Sequence, residues 1–265
     1  MSVTLELGIE GIGVWAPELP DWATARNVFC GNVETAVAPA ARPPASILPA
    51  GERRRAPESV LLAVEAAQQA CTMARRDPRD LTHVFASAYG DIAINDYLCA
   101  TLASAPNEVS PTKFHNSVHN APAGYWAIAS GCMRASTAVS AGVATFGAGL
   151  LEAATHVGAE AEPVLFVAYD VAAVGPLRDV IPSRSGLAVA FVLGPASSRA
   201  VVHLRVALAS ALAPEPALLH ASHQGNPAAA GLALLAALAR GQPHRLTLAA
   251  GSDRNLNLEI SSCPN

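Results

Sequence analysis

Charge is scarce in this sequence. Of its 265 residues only 14% are Asp, Glu, Lys or Arg, the net charge is −4, and Lys113 is the sole lysine. Without a basic field, nucleic acid and anionic membrane surfaces are excluded as expected partners. The lack of lysine beside abundant Ala and Arg is read as coding bias in a GC-rich genome. No apolar run reaches the roughly 20 residues of a membrane helix; Leu187 to Gly194 and Gly231 to Ala239 are cut off by Gly, Pro or Arg. Met1 to Trp15 has no basic flank leading into an apolar core, so neither export nor membrane insertion is expected and the site of action is taken as the cytoplasm. The five cysteines, Cys30, Cys71, Cys99, Cys132 and Cys263, form no CxxC pair and lack His at ligand spacing. That argues against structural zinc and against a disulfide framework. What the chain does have is 51% hydrophobic residues and a mean hydropathy of +0.30, enough for one large core or two closely packed subdomains.

The periodicities alternate between strand and helix. Leu5 to Trp15 reads as a strand that enters a tight turn at Gly11-Ile12-Gly13. Val37 to Pro57 is too proline-rich for a helix and reads as a surface loop, with Arg53, Arg54 and Arg55 near its end. Pro57 to Arg76 has a helical stripe at Val60, Leu61, Val64, Ala67 and Cys71. A strand over Leu81 to Ala88 and a helix over Asp91 to Ser104 follow, then a helix over Asn116 to Gly131 and a short strand at Ser136 to Ala141. Gly142 to His156 reads as a small-residue helix, and Val164 to Tyr169 as a strand buried on both faces. Leu187 to Leu193 and Ala200 to Leu208 read as consecutive strands turning at Gly194-Pro195. Ala228 to Ala239 is the last helix and Leu246 to Ala250 the last strand. The rhythm is α/β.

The run NAPAGYWAIASGCMRASTAVSAG, Asn120 to Gly142, resembles the β-ketoacyl synthase stretch that leads to the nucleophile, with Asn120, Ala123, Gly124, Ile128 and Gly131 in register. EPVLFVAYD (Glu162 to Asp170) and RSGLAVAFVLG (Arg184 to Gly194) are similar to later strands of that family's amino-terminal half. The resemblance implies a thiolase-like α/β fold: one complete ketosynthase amino-terminal half, residues 1–199, with a truncated remnant of the carboxy-terminal half, 200–265, packed on the same domain. In the family a cysteine opens the helix after that strand, where the helix terminus lowers its pKa and offers amide donors to an oxyanion. The register puts that position at Val143; a slip offers Ala141, Gly142 or Ala144, and none carries a thiol. GNPAAAGLALLAALARG, Gly225 to Gly241, looks like the helix preceded by a decarboxylating histidine, and Asn226 stands at the histidine's place.

This pattern resembles the chain length factors, subunits that keep the fold, lack the cysteine and pair with an active ketosynthase. FHNSVHNAPAGYW, Phe114 to Trp126, looks like the small ketosynthase-like proteins of aryl polyene and xanthomonadin-type pigment pathways. The resemblance implies a non-catalytic heterodimer subunit in polyketide or fatty-acid-type elongation. Its partners are an active ketosynthase and an acyl carrier protein, and it holds no cofactor or metal of its own. Phe114, His115, His119, Tyr125 and Met133 are then candidates for the tunnel and interface, and Arg53, Arg54 and Arg55 for docking an acidic carrier. His115 and His119, four apart, have metal-binding spacing but no evident third ligand. Two rival readings are a stand-alone acyl-thioester enzyme using Cys132, beside Arg134, and a scaffold that never touches the acyl chain. His220 and His223 are noted as histidines one turn from the lost position. The incomplete second half is expected to leave apolar surface and a sheet edge for a partner to cover.

Overall fold

The computed structural model describes residues 4–33, 42–196, 199–209 and 223–262. The chain begins with β1 (Thr4–Trp15), α1 (Trp22–Phe29), α2 (Ala50–Arg55), α3 (Glu58–Ala74), β2 (Thr82–Ala86), α4 (Ile92–Ser104) and α5 (Pro111–His115). It continues with α6 (Ala121–Ser130), β3 (Ser136–Val139), α7 (Thr145–Glu160), β4 (Val164–Asp170), β5 (Leu187–Pro195), β6 (Val202–Ala209), α8 (Ala230–Arg240), β7 (His244–Ala249) and β8 (Asn255–Ser262). The strands form one sheet in the order β3-β2-β4-β5-β1-β6-β8-β7. β2 is parallel to β3 and β4, while β5, β1, β6, β8 and β7 run antiparallel to their neighbours.

Helices cover both faces of the central strands, which explains the continuous apolar runs. All seven residues of β4 are buried. Phe166 joins Phe146 and Leu150 of α7 in one core, and Leu165 and Val167 join Leu61 and Val64 of α3 in the other. β1 keeps its core face through a bulge: Ile9 pairs with Leu193 and Gly11 with Val192, leaving Glu10 as the extra residue. Apolar positions therefore switch from Leu7 and Ile9 to Ile12 and Val14 in the same core. The bulge also turns the buried Glu10 carboxylate to Arg76, which grips it through Nε at 2.7 Å and Nη2 at 2.9 Å.

Gly11 and Gly13 do not open a turn as the sequence reading expected. They lie inside β1, where α3 comes so close that a Cβ would sit 2.2 Å from the Ala70 carbonyl oxygen and 2.0 Å from that of Ala66. Both obstacles are backbone, so neither can swing away. Gly13→Ala should force α3 off the sheet and cost about 3 kcal/mol. Thermal unfolding should read that as a Tm lower by roughly 6–12 °C.

Other expectations change as well. Arg53 to Arg55 belong to the helical turn α2, not to a loop, because Ala50 to Arg55 contains no proline. Asn116 to Gly131 is not one helix: α5 ends at His115, and α6 begins after Asn120. β5 and β6 do not pair with each other, because β1 lies between them. α1 and β8 were not foreseen, although Leu256, Leu258 and Ile260 alternate with polar residues and point to the core. The open face of β6, β8 and β7 holds a groove of about 800 Å³, lined by Glu6, Arg205, Arg245 and Glu259 together with Leu7, Leu204 and Ile260. Arg205 meets Glu6 at 2.9 Å and Glu259 at 3.5 Å, and Arg245 meets Glu259 at 2.8 Å. Such exposed pairs add little stability, but they make this face compatible with water.

Candidate functional site

The carboxyl ends of β2, β3 and β4 lie on one rim of the sheet, together with the end of β1 and the start of β5, where Trp15 and Asp170 pair with Ala188 and Leu187. Rims of this kind are where open α/β sheets place their chemistry. After β3 the chain turns through Gly142–Ala144 into α7. Gly142 has φ of +56°, a left-handed conformation that glycine adopts without steric penalty. Thr145 closes the turn: its Oγ1 accepts from the Ala141 amide at 2.9 Å and donates to the Gly142 carbonyl at 2.6 Å. Val143 at this tip is 78% exposed, whereas the body of α7 is buried from Thr145 to Val157 along one face. The helix end can favour negative charge, but an isopropyl group supplies neither a nucleophile nor an anion.

Asp170 is the polar hub of the rim. Its carboxylate accepts from the Ser87 hydroxyl at 2.8 Å and from the amides of Ala88 and Tyr89, each at 3.1 Å. Burial pushes the carboxyl up to about 6, while the bonds from Ser87, Ala88 and Tyr89 and the neighbouring His119 pull the other way. Because the folded value lies above the ordinary 3.8, the stabilising contribution of the protonated group is complete below about pH 3.8 and lost as pH rises through 6. Relative to Asp170→Asn, the wild-type chain should lose on the order of 3 kcal/mol of unfolding free energy between pH 4 and pH 6.5, read by denaturant titration.

Asn226 is buried and fully engaged. Its Nδ2 donates to the carbonyls of Ser185 at 2.8 Å and Asp170 at 3.1 Å, and its Oδ1 accepts from the Ala228 amide at 2.9 Å. The side chain thus ties the start of the α8 segment to β4 and β5. The buried His223 accompanies it, with Nδ1 2.7 Å from Ser185 Oγ and Nε2 2.7 Å from Glu18 Oε1. His220 lies outside the described residues.

The remaining candidates are spread over the chain's flank. His115 ends α5 in solvent, whereas His119 sits before α6 with Nε2 2.8 Å from the Ser87 carbonyl oxygen. The two are therefore not on one helical turn. Among the described residues no three His, Cys, Asp or Glu side chains gather as metal ligands, and no helix is long and apolar enough to cross a membrane. Tyr125 packs half-buried against the α3 core. Phe114, on α5, is 66% exposed, and Ile128 at 86% and Met133 at 95% lie where α6 leads into β3, the sheet edge. Arg55 pairs with Glu52 at 2.5 Å; Arg53 and Arg54 complete the basic end of α2. Cys132 is buried, with Sγ 3.4 Å from the Leu81 carbonyl oxygen and 3.8 Å from His83 Nδ1. The histidine close to Cys132 is thus His83, which the sequence reading did not single out, but both are shut in and lie at the opposite end of β3 from Val143. Asp170, Ser185 and Glu18 were also missed. The one available signal was an acid ending a continuous apolar strand.

No curated protein sequence matches the chain. Among solved structures it is similar to a ketosynthase (ApeO) in complex with its chain length factor (ApeC) from Xenorhabdus doucetiae, at 24% identity over 96% of this chain and 99% of that one, with a TM-score of 0.74. It is similar at 12% identity to a type II polyketide synthase acyl-carrier protein in complex with its ketosynthase (AntDE:AntF), covering 98% of this chain and 100% of that one with a TM-score of 0.75. The ishigamide ketosynthase/chain length factor matches at 14% identity over 99% and 100%, with a TM-score of 0.68. At these identities the likeness establishes the thiolase-like fold. The family model for the β-ketoacyl synthase amino-terminal domain matches residues 26–254, and the chain belongs to the β-ketoacyl synthase family.

Proposed function

We propose that the chain is a subunit of the chain-length-factor type, non-catalytic in chain elongation, which pairs with an active ketosynthase and closes the far end of its acyl tunnel. The observation that carries this reading is the exposed Val143 at the α7 tip, the position to which the register counted from Asn120 assigns the family's cysteine. Asn226, which the same resemblance sets against the histidine, supports it because every polar atom of its side chain is already committed within the fold.

The partner's place is the β3 edge. This short strand offers unpaired backbone groups beside exposed Ile128, Met133 and Val143, whereas the β6-β8-β7 face carries the ion pairs of Arg205 and Arg245 with Glu6 and Glu259. The similarity to a solved complex described as a ketosynthase with its chain length factor agrees with such a pairing. Phe114, His115, His119 and Tyr125 then border the shared tunnel, and the Arg53 to Arg55 turn faces an acidic carrier protein. The division at residue 199, the aryl polyene or xanthomonadin-type pathway and a cytoplasmic location complete the reading.

The test is reconstitution with the ketosynthase encoded beside it, followed by sizing of the products. Phe114→Ala should lengthen the product and His115→Trp shorten it. An unchanged length distribution from both variants would leave only a scaffold.

A further inference from the structure

Ser185, His223 and Glu18 come from three separate segments and meet on the functional rim. Ser185 precedes β5, His223 precedes α8, and Glu18 lies in the turn after β1 that is closed by the Ala16–Leu19 bridge. The Ser185 hydroxyl is 2.7 Å from Nδ1 of His223, a side chain with no solvent exposure. The other ring nitrogen lies 2.7 Å from Glu18 Oε1, whose side chain is 12% exposed. This second contact is close but off the N–H axis, so it acts as a charge beside the ring rather than as an aligned hydrogen bond. Ser185 itself is half-buried, and its backbone is pinned by the bond from Asn226.

We propose that Ser185, His223 and Glu18 form a nucleophilic relay that hydrolyses small activated acyl esters or thioesters. The roles are those of a serine–histidine–carboxylate constellation with the two ring nitrogens exchanged, and such constellations are defined by geometry and not by chain order. His223 Nδ1 takes the hydroxyl proton while Ser185 Oγ bonds to the acyl carbon. The bond from that carbon to sulfur or oxygen breaks, and the leaving group departs with the proton from Nδ1. Water then attacks the acyl-serine, gives a proton to Nδ1, and that proton returns to Oγ as the free acid leaves. Glu18 is a positioning residue that favours the transient imidazolium.

This activity does not depend on the proposed subunit role, because it concerns the chain alone and involves no carbon–carbon bond. The experiment treats the purified full chain with a serine-directed fluorophosphonate and locates the adduct by mass spectrometry, with p-nitrophenyl acetate hydrolysis measured in parallel. One adduct on Ser185 is expected. Hydrolysis should fall on the order of 100-fold in Ser185→Ala and in His223→Gln. Glu18→Asp should retain more activity than the closer-shaped Glu18→Gln, a ranking by charge that a purely structural contact would not give. No adduct on Ser185 of the unaltered chain, or unchanged hydrolysis in Ser185→Ala, would overturn the proposal and leave the three residues as a structural tie. Because the labelling uses the native sequence, misfolding of a variant cannot produce that negative.

Discussion

Met133→Asp is expected to weaken association with the partner ketosynthase by about 100-fold or more, measured as Kd by surface-immobilised binding or by sedimentation. Met133 is 95% exposed in the single chain, so the substitution removes almost nothing from the fold. Thermal stability of the isolated chain should therefore stay within about 0.5 kcal/mol of wild type. In the complex the same side chain would be covered beside the β3 edge. An uncompensated carboxylate there loses its hydration, a penalty of about 3 kcal/mol or more, which corresponds to the stated factor in Kd. Ile128→Asp, on the same flank, should behave alike. An aspartate on the open sheet face, in place of Thr247, should leave Kd unchanged, because it joins the face of the Arg205–Glu259–Arg245 ion pairs, away from the β3 edge.

The second large effect concerns Asn226. Placing the histidine that the resemblance implies, by Asn226→His, should produce no decarboxylation of malonyl groups, and it should destabilise the chain. The carbonyls of Asp170 and Ser185 and the amide of Ala228 all depend on the amide side chain, and an imidazole cannot satisfy two acceptors and one donor from that position. At about 1 kcal/mol for each bond, with orphaned buried groups costing more, the loss should be roughly 3 kcal/mol. Differential scanning calorimetry should show a Tm lower by about 6–12 °C for both Asn226→His and Asn226→Ala. The double variant carrying Val143→Cys as well should still form no condensation product, because the rim would hold a thiol and one imidazole in a destabilised segment, without a second decarboxylating histidine.

Much of the fold was legible because its signals are local. The apolar runs of β4 and β5, the stripe of α3 and the family stretch from Asn120 to Gly142 all lie within single segments. What was illegible depended on packing across the chain. Gly11 and Gly13 look like turn residues until α3 is laid against β1. Gly194-Pro195 looks like a hairpin until β1 is found between β5 and β6. The bulge at Glu10 shifts the strand's parity by one, a change visible only once Arg76 and the β5 register are in place. The same holds for the rim: counting along the sequence reaches Val143, but Asp170, Ser185, His223 and Glu18 converge only through the sheet order. The alternation of β8 is only faintly legible in the sequence, since Asn255, Asn257 and Glu259 mask its Leu and Ile.

The central claim is that this subunit contributes no condensation chemistry and acts through a ketosynthase beside it. The most direct measurement is product formation from acyl and malonyl carrier proteins in three preparations: the chain alone, its complex with the co-encoded ketosynthase, and that complex with the ketosynthase's nucleophilic cysteine replaced by alanine. Elongated product is predicted from the second preparation only. Product from the chain alone, or from the complex with the disabled partner, would contradict the account.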